Sequence, residues 1–414
     1  WSLYSYYWSN MNGLAAVRSL LSRAKTARHA KTQRNTKRSY ADDASSSEHP
    51  SFKRADLTVE LAKTRKPKIP NNELVFGKYS GDHMLTIDWD TKTGWNKPKI
   101  HPHSPITLDP TASVFHYALE CFEGMKAYKD KSGRPRLFRP MDNMARLNRS
   151  AARIVLPSFN ESELLECIKE LVKTDAELIP PEKGYSLYIR PTMISTSTSL
   201  GVHAPRSAKL FVITSPVGPY YKTGFKPVSL LADSTNVRAC KGGTGAYKLG
   251  SNYAGTIWPA REAEKKGYSQ VLWLVDDQIS EVGTMNLFFF WVNEKGEKEL
   301  ITPPLTDGTI LPGVTRSSVL DLAHQWGEFK VTEANFTMSQ VAKALAEGRI
   351  LEAFGAGTAA VISPINRIHY KGVDLAVPLG TQGSIAAGEL AQRLLDTMSA
   401  IQYGETSSPW SVPL

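Results

Sequence analysis

From Leu74 onward, runs of β-branched and aromatic residues alternate with segments of helical period. Tyr185–Thr196 (YSLYIRPTMIST) and Leu210–Val217 are rich in the residue types that favour strands. Met141–Ile154 sets Met144, Leu147, Ala151 and Ile154 three or four apart, which predicts a helix with one apolar face. Asn160–Leu178 opens on an Asn-x-x-Glu pair (Asn160, Glu163) suited to a helix start, and stops before Pro180-Pro181. Further strands are predicted near 228–233, 271–276 and 284–293, and helices near 315–326, 338–347 and 383–402. The class is α/β (α+β). Residues 217–227 (VGPYYKTGFKP) are dense in Gly, Pro and Tyr and make the best boundary between a smaller domain at 73–216 and a larger one at 228–414. A cleft at such a boundary is a natural ligand site. Residues 41–72 read as an irregular, polar lead-in.

Length and composition agree. A chain of 414 residues suffices for two domains, and no apolar run approaches the roughly 18 residues that span a bilayer. Three cysteines (Cys121, Cys167, Cys240) do not make a disulfide framework and suit a reducing compartment. The net charge of +10 suggests a nucleic-acid partner until it is located. Residues 1–40 hold eight Lys/Arg and no Asp or Glu, and the other 42 basic and 40 acidic residues nearly cancel. Leu14, Val17 and Leu21 recur there at helical spacing, with Arg18 and Lys25 on another face. Acid-free, Arg-rich and Ser-containing is the composition of a mitochondrial or plastid transit peptide. Arg38-Ser39-Tyr40 before Ala41 resembles a mitochondrial processing site, with cleavage after Tyr40 and a matrix location; the plastid is the alternative. On that reading Met11 is the start, and residues 1–10 lie outside the product. A disordered basic tail or a nucleic-acid arm would share this charge, but the near-neutral body gives nucleic acid no second contact.

Candidate chemistry begins at Gly242-Gly243-Thr244-Gly245-Ala246-Tyr247-Lys248-Leu249-Gly250, a glycine-rich loop ending in a lysine. A nucleotide P-loop requires Gly before that Lys and Ser or Thr after it. Tyr247 and Leu249 hold those places, so the match fails. Gln278–Val292 (QISEVGTMNLFFFWV) reads as one strand, apolar on both faces and therefore covered on both sides. Glu281 lies within it. A buried carboxylate needs a partner, and either a protonated pyridine nitrogen or a structural arginine would serve. Leu311-Pro312-Gly313 suits a type II turn feeding a helix at Thr315–Trp326, whose N-terminus favours an anion. Phe354-Gly355-Ala356-Gly357-Thr358-Ala359-Ala360 reads as a second small-residue loop able to approach an anion. A lysine, a buried acid and two anion cradles together suit pyridoxal 5'-phosphate.

Six ordered stretches then carry a family resemblance: Phe122–Tyr128, Leu137–Ala151, Gly242–Thr256, Glu281–Phe289, Leu311–Ala323 and Gly355–Pro364. From about Asp56 to the C-terminal region the chain resembles a branched-chain-amino-acid aminotransferase of the pyridoxal-phosphate fold type IV class, in its mitochondrial form by the leader above. The resemblance implies a smaller N-terminal α/β domain and a larger pseudo-barrel domain that binds the cofactor. It makes Lys248 the Schiff-base lysine and proton carrier. Tyr253 matches the tyrosine at the cofactor's phenolic oxygen, and Glu281 the acid at its ring nitrogen. Arg146, the backbones of Val314 and Thr315, and Thr358 match the phosphate cup. Arg238 lies near the site with no assigned role. Phe122, Tyr188 and Tyr220 match the aromatic walls of an apolar substrate pocket, and Tyr117 a tyrosine from the other subunit of a homodimer. The backbone N–H of Ala359 matches the substrate-carboxylate contact, and Arg190 suits the second carboxylate of glutamate.

The resemblance implies ping-pong transfer of the amino group of leucine, isoleucine or valine to 2-oxoglutarate, with no metal, nucleic acid or membrane insertion. Animal members of the family carry a redox Cys-x-x-Cys where this chain has Ala360 and Ser363, so thiol regulation is not expected there. A D-amino-acid aminotransferase or an aminodeoxychorismate lyase would use the same lysine and acid. The GGTGAYKLGSNY and EVGTMN motifs favour the branched-chain group. A non-catalytic basic binding module would need positive charge in the body, where it is absent.

Overall fold

The computed structural model describes residues 50–219, 226–380 and 386–414. The leader at 1–40 and Tyr220 lie outside the described residues.

Two sheets organise the described residues. The first runs in the order Thr58–Val59, Lys99–Pro102, His83–Asp90, Ser207–Val217, Ser186–Ser195, Met125–Lys129, Pro135–Phe138 and Ser411–Pro413, with Glu120–Phe122 pairing Ser186–Ser195. Its central pair, Ser186–Ser195 with Ser207–Val217, is antiparallel over ten residue pairs. Helices Pro140–Arg153 and Glu161–Thr174 supply Met144, Leu147, Leu164, Ile168 and Leu171 to the core shared with this sheet. Asn160 caps the second helix by accepting the Glu163 N–H, as its spacing suggests. The Glu163 carboxylate does not return to the cap; it accepts the Arg54 N–H instead.

The second sheet runs Gln278–Val282, Gln270–Val275, Val228–Asp233, Val361–Tyr370, Ile350–Gly357 and Met285–Val292, then Lys298–Thr302 and Lys330–Glu333. Gln278–Val282 also pairs Met285–Val292, so its first six strands close into a ring. Closure removes two sheet edges and fixes a barrel-like body. Leu287 and Phe289 point into one core, and Phe288 with Leu300 and Phe354 into another. The second core is completed by helices Val314–Trp326 and Glu389–Gln402. The expected α/β class with a barrel-like C-terminal part is therefore what the described residues form.

Four local expectations are corrected. Packing starts ahead of Leu74, because Phe52 is buried against Trp95 and Phe159. Gln278–Val292 is a hairpin rather than one strand: Gly283, with φ +54°, turns the chain so that Val282 pairs Met285. Gly313 does not occupy the third position of a type II turn, which needs positive φ; its φ is −72°, and it is the extended N-cap of Val314–Trp326. Residues 354–357 belong to strand Ile350–Gly357, which leaves only Thr358, Ala359 and Ala360 as a turn.

Candidate active site

Lys248 is held by its backbone before its side chain does anything. Its N–H donates to Ser150 Oγ at 2.9 Å, and its carbonyl accepts the Phe122 N–H at 3.1 Å. The lysine loop is thus tied to helix Pro140–Arg153 on one side and strand Glu120–Phe122 on the other. Lys248 Nζ then donates to Tyr253 Oη at 3.1 Å and lies 5.0 Å from the Phe122 ring centre. The two come from one short motif, and the four-residue helix Ser251–Ala254 returns Tyr253 beside the lysine.

Two buried carboxylates flank this amine, and both feel its charge. Glu281, 2% exposed, accepts from the Leu311 N–H at 2.9 Å and Asn286 Nδ2 at 3.0 Å, both on Oε1. Its Oε2 pairs with Arg238 Nε at 2.9 Å. The structural arginine that the sequence allows as one partner for Glu281 is therefore Arg238. Burial raises the Glu281 carboxyl above the usual range, while Arg238 and the Leu311 N–H pull it back. Glu123, 0% exposed, takes Arg146 on both oxygens, at 2.6 and 2.8 Å, and Asn143 at 2.8 Å. There burial also raises the carboxyl, but the bidentate Arg146 prevails and holds it below the usual range.

Arg146 Nη1 continues to the Pro312 carbonyl at 2.8 Å, joining helix Pro140–Arg153 to the lead-in of helix Val314–Trp326. Val314, Thr315 and Thr358 line one small cavity with Asn143 and Lys126. The first turn of Val314–Trp326 has no side-chain cap, which leaves its N–H groups and dipole to an anion.

On the other side, Arg190 lies 4.6 Å over Phe122 and 5.2 Å from the centre of Tyr188, and Nη2 donates to Tyr188 Oη at 3.1 Å. Arg190 Nε is buried without a hydrogen-bond partner. Phe76 packs edge-on against Tyr188. Ala359 accepts Lys126 Nζ at its carbonyl. Tyr117 is not in contact with this group among the described residues; its hydroxyl donates to the Leu200 carbonyl, beside exposed Phe115, Leu200 and Val202.

The structure thus gathers Lys248, Tyr253, Phe122, Tyr188 and Arg190 into one cluster. Arg146 and Glu281 with Arg238 lie near it, and Val314, Thr315 and Thr358 line one small cavity. Glu123, Asn143, Ser150, Asn286 and Lys126 were not singled out from sequence. A signal existed for two of this group: Asn143 and Ser150 lie three before and four after Arg146 on the buried face of a helix, where unpaired polar groups are costly.

Comparison with known proteins follows the same lines. The family described as amino-transferase class IV matches residues 120–368. A branched-chain-amino-acid aminotransferase of Dictyostelium discoideum is 59% identical over 86% of this chain and 94% of its own length. A mitochondrial one of Bos taurus is 49% identical over 88% and 92%. A solved branched-chain aminotransferase from the thermophilic archaeon Thermoproteus uzoniensis, with norvaline, superposes with a TM-score of 0.64 at 26% identity, covering 80% of this chain and 99% of its own. The chain belongs to the class IV aminotransferases, in the branched-chain-amino-acid group of that family, with the two-domain fold type IV architecture. Relatives named cytosolic and relatives named mitochondrial both occur.

Gly124 tests the cluster. A Cβ there would sit 2.0 Å from Tyr188 Oη, so Gly124→Ala must displace the tyrosine that holds Arg190. We expect kcat/KM for the amino donor to fall by about tenfold, roughly 1.4 kcal/mol of transition-state binding, with cofactor content unchanged. Steady-state kinetics beside an absorbance spectrum checks this.

Proposed function

We propose that this chain transfers the amino group of leucine, isoleucine or valine to 2-oxoglutarate, with pyridoxal 5'-phosphate as cofactor. The observation that carries the reading is the amine of Lys248 at 3.1 Å from the Tyr253 hydroxyl, near two arginine-paired buried carboxylates that feel its charge. When bound, pyridoxal phosphate supplies a carbonyl carbon that condenses with amines and a ring that accepts electron density from the substrate's α-carbon.

The donor set fits that group. A carboxylate oxygen takes two donors, and Glu281 Oε2 carries one, Arg238, among the described residues. It retains room for a ring N–H. Burial raises the Glu281 carboxyl and Arg238 opposes that rise; a protonated ring nitrogen beside it would favour the carboxylate further, and the carboxylate would in turn keep the proton on the ring nitrogen. Tyr253 orients the cofactor's phenolic oxygen. Arg146, the N–H groups of Val314 and Thr315, and Thr358 bind the phosphate. Lys248 holds the cofactor and then carries the proton to and from the substrate α-carbon.

Phe122, Tyr188 and Tyr220 would face the branched side chain. The Ala359 N–H would take its carboxylate, and the partnerless Nε of Arg190 suits the second carboxylate of glutamate. Exposed Phe115, Leu200 and Val202 around Tyr117 suit a homodimer in which Tyr117 serves the other subunit's site. The cleft would lie between domains 73–216 and 228–414, joined by 217–227. The leader composition and the mitochondrial relatives support delivery to the mitochondrial matrix, with removal of residues up to Tyr40.

The deciding experiment is a donor panel with 2-oxoglutarate. Leucine, isoleucine and valine should all react, and Lys248→Ala should abolish both turnover and the visible absorbance; a colourless wild type would overturn the cofactor assignment. Glu281→Gln should keep the cofactor and lose turnover by roughly 10²-fold or more, in line with the loss of a proton-holding group; an unchanged kcat would remove its role. N-terminal sequencing of the protein isolated from mitochondria should begin at Ala41, and an intact Met11 terminus contradicts the leader.

A further inference from the structure

Lys126 is a second lysine at this site that none of the roles above uses. It lies on strand Met125–Lys129 of the first sheet and is 8% exposed. Its Nζ crosses to the second sheet and donates to the Ala359 carbonyl at 2.7 Å, between residues 233 apart in sequence. No carboxylate lies within ion-pair distance of it among the described residues. Burial alone therefore acts on its ammonium and pushes it down to about 8. A desolvated cation without a counter-ion is costly, and a neutral donor could hold a carbonyl for less. Its position next to an anion site would account for the charge.

Its neighbours supply that context. Thr358, Ala359 and Ala360 form the tight turn between Ile350–Gly357 and Val361–Tyr370, closed by the Gly357–Val361 pair. The turn ends on Val361 with φ +64°, a conformation β-branched residues avoid. Such a turn keeps its shape only where its surroundings hold it. Lys126 also lines the cavity shared by Val314, Thr315 and Thr358, and a second cavity of about 220 Å³ behind the turn that includes buried Ser363 and Gln402. It thus touches both the turn at Ala359 and the cavity at the start of helix Val314–Trp326.

We propose that Lys126 is a positioning residue for the substrate carboxylate: its ammonium fixes the Ala359 carbonyl, and with it the Ala359–Ala360 peptide plane, so that the turn keeps the conformation in which the adjoining Ala359 N–H meets the carboxylate. This rests on the transaminase reading, in which the Ala359 N–H binds that group. The lysine touches neither substrate nor cofactor directly. The carbonyl it holds belongs to the next peptide unit, so the lysine acts on the Ala359 N–H through the conformation of the turn, by a charge-assisted bond about twice as strong as a neutral one.

Two leucine fragments separate this role from a structural one. 4-Methylvalerate keeps leucine's carboxylate and lacks its amine; 3-methylbutylamine keeps the amine and lacks the carboxylate. Binding of each to the holoenzyme is followed by the cofactor's visible spectrum. Lys126→Met should weaken 4-methylvalerate by about tenfold or more, the equivalent of one charge-assisted hydrogen bond. It should leave 3-methylbutylamine within about twofold and raise KM for leucine more than it lowers kcat. Lys126→Arg should restore most of the carboxylate affinity, and it replaces the methionine variant if that one does not fold. Equal losses for both fragments, or unchanged 4-methylvalerate binding, overturn the proposal. A wild type that binds neither fragment and does not transaminate leucine overturns the functional reading instead, so the two failures are distinct.

Discussion

A carboxylate removed from water either finds cations and N–H groups or takes up a proton. Glu123 and Glu281 both face that choice near Lys248, and the site is arranged around how each meets it. Glu123 uses Arg146, which also binds the Pro312 carbonyl. Glu281 uses Arg238, Asn286 and the Leu311 N–H. Both sets of bonds reach the Leu311–Pro312 segment that leads into helix Val314–Trp326. The position of that helix start, and of the cavity that Val314 and Thr315 line, is therefore tied to the partners of two buried glutamates. Removing one partner of such a pair costs about 3–5 kcal/mol, because the remaining charge stays buried.

The two pairs differ in a way that suits different tasks. Arg146 meets Glu123 with two nitrogens, and Asn143 adds a third donor, so the carboxyl stays firmly ionised. Such a group is a fixed support. Arg238 meets Glu281 through Nε alone while its Nη1 goes to the Thr309 carbonyl, and burial keeps this carboxyl above its usual range. A buried carboxyl raised above its usual range, with acceptor capacity left on Oε2, gains most from one further cationic donor. On the function proposed above, a protonated ring nitrogen would be that donor, and its own proton would be held more tightly for the same reason.

Groups close in sequence are legible at once: Lys248 and Tyr253 lie in one glycine-rich motif, and a short helix brings them together. Glu281 is legible because its surroundings are apolar on both faces, although the hairpin at Gly283 is not. In the sequence that glycine reads as one residue of a strand, and only its positive φ shows the turn. The opposite holds at Gly355 and Gly357, whose small side chains suggest a loop. They lie in a strand because a Cβ at Gly355 would meet Met285 at 2.9 Å and Val282 at 3.1 Å. Close packing and free backbone conformation leave the same letter in the sequence. Arg238 and Glu123 have no local signal at all, since each is defined by a partner at least 23 positions away.

The placement of charge gives the site its polarity. The two buried glutamates occupy Arg146 and Arg238. Lys248, Arg190 and Lys126 then remain around the cluster with no carboxylate in ion-pair contact among the described residues; their polar partners there are the Tyr253 and Tyr188 hydroxyls and the Ala359 carbonyl. Neutral partners of this kind do not offset the desolvation of a cation, so the arrangement is most stable when anions enter. A phosphate and one or two carboxylates are anions of that kind, and their charge near the cluster would offset that of these cations. The aromatic rings of Phe122, Tyr188 and Phe76 lie in the same cluster and carry no charge. A ligand with acidic groups at its ends and an apolar branch between them matches that distribution better than a uniformly polar or uniformly apolar one. On the function proposed above, selectivity for branched amino acids over charged ones would rest on the rings, and tolerance of glutamate on Arg190.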